Sequence, residues 1–140
     1  MDYPARLTYQ RGTGGYAVYF RDIPEAFAFG DTAREALRRA PCALAAALTF
    51  YFESRRPVPS PSEPNDKEEL VTLPLEAVAK VLLHNEMVLQ NVNTTQLARI
   101  MNASKRVRKI NFTNSVDIDL TAKALSALGK HLEIVIRSPV

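Results

Sequence analysis

Residues 54–66 read SRRPVPSPSEPND, with proline at positions 57, 59, 61 and 64 and little that a core could use. Proline at alternate positions forbids helix and favours extended polyproline backbone. At about 3.1 Å per residue such a stretch could span roughly 40 Å, as a linker or as a strap across a surface. It divides the chain into two small domains, 1–73 (with the proline segment 54–66) and 74–140, each of which must find its own core.

Ahead of that boundary, Tyr3, Ala5, Leu7 and Tyr9 alternate with more polar neighbours, and Tyr16, Val18 and Phe20 resume the period after a glycine-rich stretch, residues 11–15. That is the pattern of a hairpin of two half-buried strands joined by a five-residue loop. Asp22-Ile23-Pro24-Glu25 turns the chain, and Ala26 to Phe29 suits a short third strand ending at Gly30. Asp31 or Thr32 can cap a helix running to about Phe52. Its inward side uses Ala33, Leu37, Ala40, Leu44, Ala47, Leu48 and Tyr51, and Pro41 is expected to kink it. Leu70 to Leu73 suits one more strand of the same sheet.

Beyond the boundary, Pro74 suits the first turn of a helix to about Gln90, with Val78, Leu82 and Leu89 facing inward. Asn93 and Gln96 fit a capping box for a helix from Thr94 to Met101. Asn102 suits a left-handed turn, and Ser104 can cap a further helix to about Asn111. Asp117 or Asp119 begins a last helix closed by Gly129. Leu132, Ile134 and Ile136 then alternate in a closing strand, for which a second copy of the chain is the expected partner. The fold class is α+β: a β-β-β-α-β domain, then an all-α domain ending in a short strand.

Net charge is only +3, yet Met87 to Val116 contains no acid and five bases: Arg99, Lys105, Arg106, Arg108 and Lys109. Leu97, Ile100, Met101, Val107 and Ile110 thread between them at helical spacing. Two short helices, small Ala98 at their contact and a basic outer face match a helix-turn-helix. A docking surface for phosphates wants such a face free of carboxylates. A solvated helix face is the plainer reading of a charge run, but such a face usually mixes both signs. Lys105, Arg108 and Lys109 are the candidate contacts to phosphates or bases, with Asn111 a candidate adenine reader. Thr94 and Thr95 could hold a phosphate, and Gln96, Ser104 and Arg106 complete the set.

Other chemistries find little support. The single cysteine, Cys42, forbids an internal disulfide, and His84 and His131 lack metal-ligand spacing, so no metal or cofactor is implied. There is no apolar run of about 18 residues for a membrane span and no leader pattern, which makes the cytoplasm the default location. No nucleophile elbow or phosphate loop is present; Gly12-Thr13-Gly14-Gly15 joins two strands rather than a strand and a helix. Asp22, Glu25 and Asp31 suit turns and caps, and no convincing set of converging acids for a metal-dependent nuclease can be assembled. No catalytic residue is assigned.

The ordered motifs Gly14-Gly15-Tyr16-x-Val18-x-Phe20, Asp22-Ile23-Pro24-Glu25 and Gly30-Asp31-Thr32-x-x-Glu35-Ala36 carry a resemblance. They are followed by Pro74-Leu75, Lys80-Val81-Leu82-Leu83-x-Asn85, Leu97-Ala98-Arg99 and the stretch Ala122 to Lys130. In this order they resemble HicB-type antitoxins of HicA–HicB toxin–antitoxin pairs, over nearly the whole chain. The resemblance implies a degenerate RNase H-like N-terminal domain that occludes the toxin, a small basic ribonuclease that uses a histidine. It also implies a C-terminal helix-turn-helix that represses the pair's own operon. The chain departs from the pattern at Thr94, where glutamine is usual, and at Asn102, where glycine is usual.

The expected partners are therefore a HicA-type toxin, operator duplex DNA and further copies of the chain. Asp22, Glu25 and Asp31, beside Tyr16, Tyr19 and Phe27, are the candidate toxin-facing residues, the carboxylates standing in for phosphates. These aromatics equally suit a core, and the core is the expected place of Phe20 and Phe27. Leu132, Ile134 and Ile136 are the candidate dimer contacts. The alternative is a protein- or RNA-binding scaffold with a degenerate RNase H-like fold and no operator recognition.

Overall fold

The computed structural model of the protein describes residues 1–102 and 117–138. The first half is a four-stranded antiparallel sheet in the order β3-β2-β1-β4, formed by β1 (Asp2–Gln10), β2 (Gly15–Phe20), β3 (Phe27–Gly30) and β4 (Glu69–Thr72). One helix, α1 (Ala33–Glu53), covers one face. Ala5 faces Phe20 and Leu7 faces Val18 across β1 and β2, so the apolar set read from the period-2 pattern lies on the helix side. Tyr3, Val18, Phe20, Ile23, Leu44 and Leu48 are essentially fully buried there. Each such side chain contributes about 1.5–3 kcal/mol of hydrophobic stabilisation.

Local signals explain the element ends. The hairpin connection is four residues, 11–14, one shorter than expected. Gly14 closes it at φ 75, donating its N–H to the Gln10 carbonyl at 2.8 Å. Gly30 lets β3 run into α1: a Cβ there would sit 2.5 Å from the Ala36 nitrogen. Thr32, of the two candidates, caps α1, its hydroxyl accepting from the Glu35 N–H, while the Glu35 carboxylate accepts from the Asp31 N–H. Pro41 does not interrupt α1, which is continuous through it. Proline removes one N–H there, and the packing of Ala40, Leu44, Ala47, Leu48 and Tyr51 on the sheet holds the helix together.

The proline segment is an ordered strap rather than a free tether. Val58 is buried in the first core, and Asn85 clasps its backbone, accepting from its N–H at 2.8 Å and donating to its carbonyl at 3.0 Å. The Tyr3 hydroxyl donates to the Pro59 carbonyl at 2.7 Å, and Asp22 accepts from both the N–H and the hydroxyl of Ser62. His84 Nε2 lies 2.7 Å from the Arg56 carbonyl, which requires the proton on Nε2.

Helix α2 (Leu75–Leu89) serves two cores. Val81 belongs to the sheet core, whereas Leu83 and Met87 belong to a second cluster. The other members of that cluster come from α3 (Thr94–Ile100) and from the helix α4 (Ile118–Ala127) with Leu128 after it. Leu82 and Leu89, expected inward, are exposed at 36% and 77%, while Ala79, Leu83 and Met87 at i, i+4 spacing face in. A helix apolar on several sides does not reveal in sequence which side is covered. Gly129, at φ 85, ends α4 with Lys130 N–H bonded back to the Leu125 carbonyl. Residues 131–138 form neither helix nor ladder within the single chain. Among the described residues the only strands are the four of this sheet, β1 to β4, and none of them pairs with the expected closing strand.

Two outcomes follow from the strap. Asn85→Ala removes two hydrogen bonds and strands a partly buried N–H, which should cost about 2 kcal/mol in urea unfolding. His84 is held neutral: burial lowers its pKa below 6.5. The unfolded chain therefore binds more protons than the folded one just below pH 6.5, so stability should fall as the pH drops through that value. Urea midpoints between pH 7.5 and 5.5 should show this in the parent protein and much less in His84→Gln.

Candidate functional site

The candidate partner-facing aromatics divide between the two faces of the sheet. Tyr16 shares the parity of Val18 and Phe20, is half-buried, and meets Tyr9 edge-on with ring centroids 5.3 Å apart. Tyr19 has the opposite parity. It stands directly across from Phe27 in the β2–β3 register, with ring centroids 5.4 Å apart and exposures of 44% and 50%. Phe27, expected in the core, is thus on the open face, whereas Phe20 is buried as expected. Parity explains this: Ala28, one residue on, takes the core position of β3. Arg6, opposite Tyr19 on β1, extends the exposed row, and Leu70 adds an apolar position on β4. Neither was selected by sequence reasoning, although the alternation of β1 already placed Arg6 away from Ala5 and Leu7.

The three candidate carboxylates have separate surroundings. Both oxygens of Asp22 are occupied by Ser62, at 2.8 and 2.6 Å. Glu25 accepts from the Tyr51 hydroxyl at 2.6 Å and lies 3.5 Å from the Arg56 guanidinium, which stacks 4.5 Å above the Tyr51 ring. The Tyr51 hydrogen bond above all, helped by a hydrogen bond from its own backbone and by the Arg56 charge, holds the Glu25 carboxyl below the usual carboxylate range. Burial, reinforced by Glu25, pushes the Tyr51 phenol up to about 12. Asp31 is exposed at the start of α1. Among the described residues no three His, Cys, Asp or Glu side chains come together as metal ligands would.

Ahead of α3, the capping box forms as the sequence indicated. Asn93 accepts from the Gln96 N–H, and Gln96 accepts from the Asn93 N–H, both at 2.8 Å. Thr95 and Gln96 are exposed and Thr94 is half-buried, with the Gln96 carbonyl oxygen committed to the cap. Ala98 is buried in the second core, and Asn102 adopts the left-handed conformation at φ 49. Ser104, Lys105, Arg106, Arg108, Lys109 and Asn111 lie outside the described residues. The terminal candidates separate: Leu132 is half-buried against the second core, while Ile134 and Ile136 are 65% and 96% exposed. Leu132 and Ile134 border an apolar groove also lined by Leu75, Val78, Leu82 and Ile118. No helix among the described residues is long and apolar enough to cross a membrane.

Residues 2–82 match the family described as HicB-like antitoxin of bacterial toxin–antitoxin systems. Antitoxin HicB 2 of Photorhabdus laumondii is 43% identical over 137 residues, covering 96% of both chains. Antitoxin HicB of Escherichia coli is 39% identical over 137 residues, covering 96% of this chain and 99% of its own. Antitoxin HicB of Pseudomonas fluorescens is 32% identical over 114 residues, covering 79% and 78%. With the family match spanning the sheet, α1, the strap and the first half of α2, and the relatives extending through α3 and α4, the chain belongs to the HicB-like antitoxin family.

Proposed function

We propose that this antitoxin neutralises a HicA-type ribonuclease through the open face of its sheet, and that it represses its own operon through the helical half. The observation that carries the first part is the Tyr19–Phe27 pair, two large aromatics held side by side at about half exposure on a rigid sheet. Exposed aromatics on a fixed scaffold make good anchors because little side-chain freedom is lost on binding. Glu25, kept ionised by Tyr51 and Arg56, and Asp31 supply negative charge near that edge for a basic partner. The site occludes a ribonuclease and performs no bond chemistry.

The second part rests on α3, capped and closed by the left-handed Asn102, immediately ahead of the basic run Ser104 to Lys109 and Asn111. In this reading α3 packs through Leu97 and Ala98, and the following segment supplies phosphate and base contacts, with Thr94 and Thr95 beside them. A net charge of +3 makes one copy a weak DNA ligand. Two copies joined through Leu132, Ile134 and Ile136 would present two basic segments to a palindromic operator. The cytoplasm, where operon and messenger RNA are found, is the matching location.

Phe27→Ala and Tyr19→Ala should each weaken binding of a HicA-type toxin by at least about tenfold in calorimetry. Circular dichroism should be unaltered, because both side chains are already half exposed. For DNA, Arg108→Ala with Lys109→Ala should flatten the salt dependence of operator binding by roughly one logarithmic unit per lost phosphate contact. An unchanged slope in mobility shifts at several salt concentrations favours the scaffold reading, in which the basic segment meets protein or RNA.

A further inference from the structure

The turn between β2 and β3 and the proline strap share two carboxylates. Asp22 is saturated by the Ser62 backbone N–H and hydroxyl, and Glu25 faces the Arg56 guanidinium. The same strap is fastened on its other side to α2. The Arg56 carbonyl meets His84, and Val58 is clasped at both its N–H and its carbonyl by Asn85. Arg55, next along the strap, reaches the Val92 carbonyl at 3.2 Å, just ahead of α3. One residue of strap, Arg56, therefore touches the acidic turn with its side chain and α2 with its backbone.

We propose that the strap relays occupancy of the Asp22–Glu25 turn to α2 and, through it, to α3. A basic protein partner that takes these carboxylates competes with Ser62 and Arg56 for the same oxygens, since a carboxylate holding an incoming guanidinium fork has few lone pairs left. Loss of Ser62 and Arg56 frees the strap at two points and loosens the seat of His84 and Asn85. Because Val81 lies in the sheet core while Leu83 and Met87 lie in the core that holds Leu97 and Ala98, a shift at residues 84–85 is felt by both. The two halves are then linked by a coupling free energy rather than by a tether. The proposal rests on the toxin-binding reading only for the identity of the basic partner.

Hydrogen exchange of the full-length chain, read by mass spectrometry over residues 83–100, tests this. Ser62→Ala should speed exchange there by about fivefold, the effect of one net hydrogen bond on a local opening. Asp22→Ala, which loses both bonds to Ser62, should speed it at least as much, and the double variant should be no faster than Asp22→Ala alone. Glu69→Gln, at an exposed carboxylate on β4, should leave the region unchanged. Exchange over 83–100 unaltered by Ser62→Ala overturns the relay, as does strict additivity of the two variants or an equal effect of Glu69→Gln. Should Asp22→Ala fail to fold, Ser62→Ala, at a half-exposed position in the strap, still decides. Added to the parent protein, a small basic HicA-type toxin should speed the same peptides, and binding that leaves them unaltered overturns the relay. If that partner does not bind while Ser62→Ala still acts, the relay stands and the toxin-binding reading falls.

Discussion

The clasp between Asn85 and the backbone of Val58 is the contact on which the arrangement depends. The strap has no regular backbone pairing of its own, so its polar groups must be satisfied by whatever it lies against. Asn85 can accept and donate at once, and it answers both the N–H and the carbonyl of a residue whose side chain is buried in the sheet core. With Val58 pinned, the rest of the strap is near enough for Tyr3 to reach Pro59 and for Ser62 to reach Asp22. A native protein is stable by only about 5–15 kcal/mol, so a few such bonds at about 1 kcal/mol each are a sizeable share.

Helix α2 turns this local fastening into a feature of the whole chain. Its inward residues divide at about Leu82: Val81 packs with the sheet, Leu83 and Met87 with α3 and α4. A helix transmits displacement along its axis because its backbone bonds leave few soft degrees of freedom. The family match ends at residue 82, within α2, where the second core takes over, while relatives at 43% and 39% identity extend across both halves. The junction is thus a packed one.

The sheet sorts the candidate binding residues by parity. Tyr16 and Tyr19 are three apart, so a pleated strand sends them to opposite faces. Tyr16 packs beside α1 and Tyr19 meets Phe27 on the open side. Phe27 is open because Ala28 fills the core position in β3. The carboxylates are sorted by the strap instead: Asp22 is engaged by Ser62, Glu25 is held ionised by Tyr51 and Arg56, and Asp31 stays exposed.

What the sequence by itself determined is local. The hairpin, the cap at Thr32, the capping box at Asn93 and Gln96, the left-handed Asn102 and the glycine stop at 129 were readable because each depends on residues within about four positions. The motif order was enough to mark the family. Tertiary structure decided what depends on distant neighbours. It ordered the proline segment, because Asn85, Asp22 and Tyr3 converge on it from 27, 40 and 56 residues away. It left Leu82 and Leu89 outside, because α2 is apolar on several sides and only its neighbours say which to cover. It carried α1 through Pro41, because packing on the sheet outweighs one missing hydrogen bond.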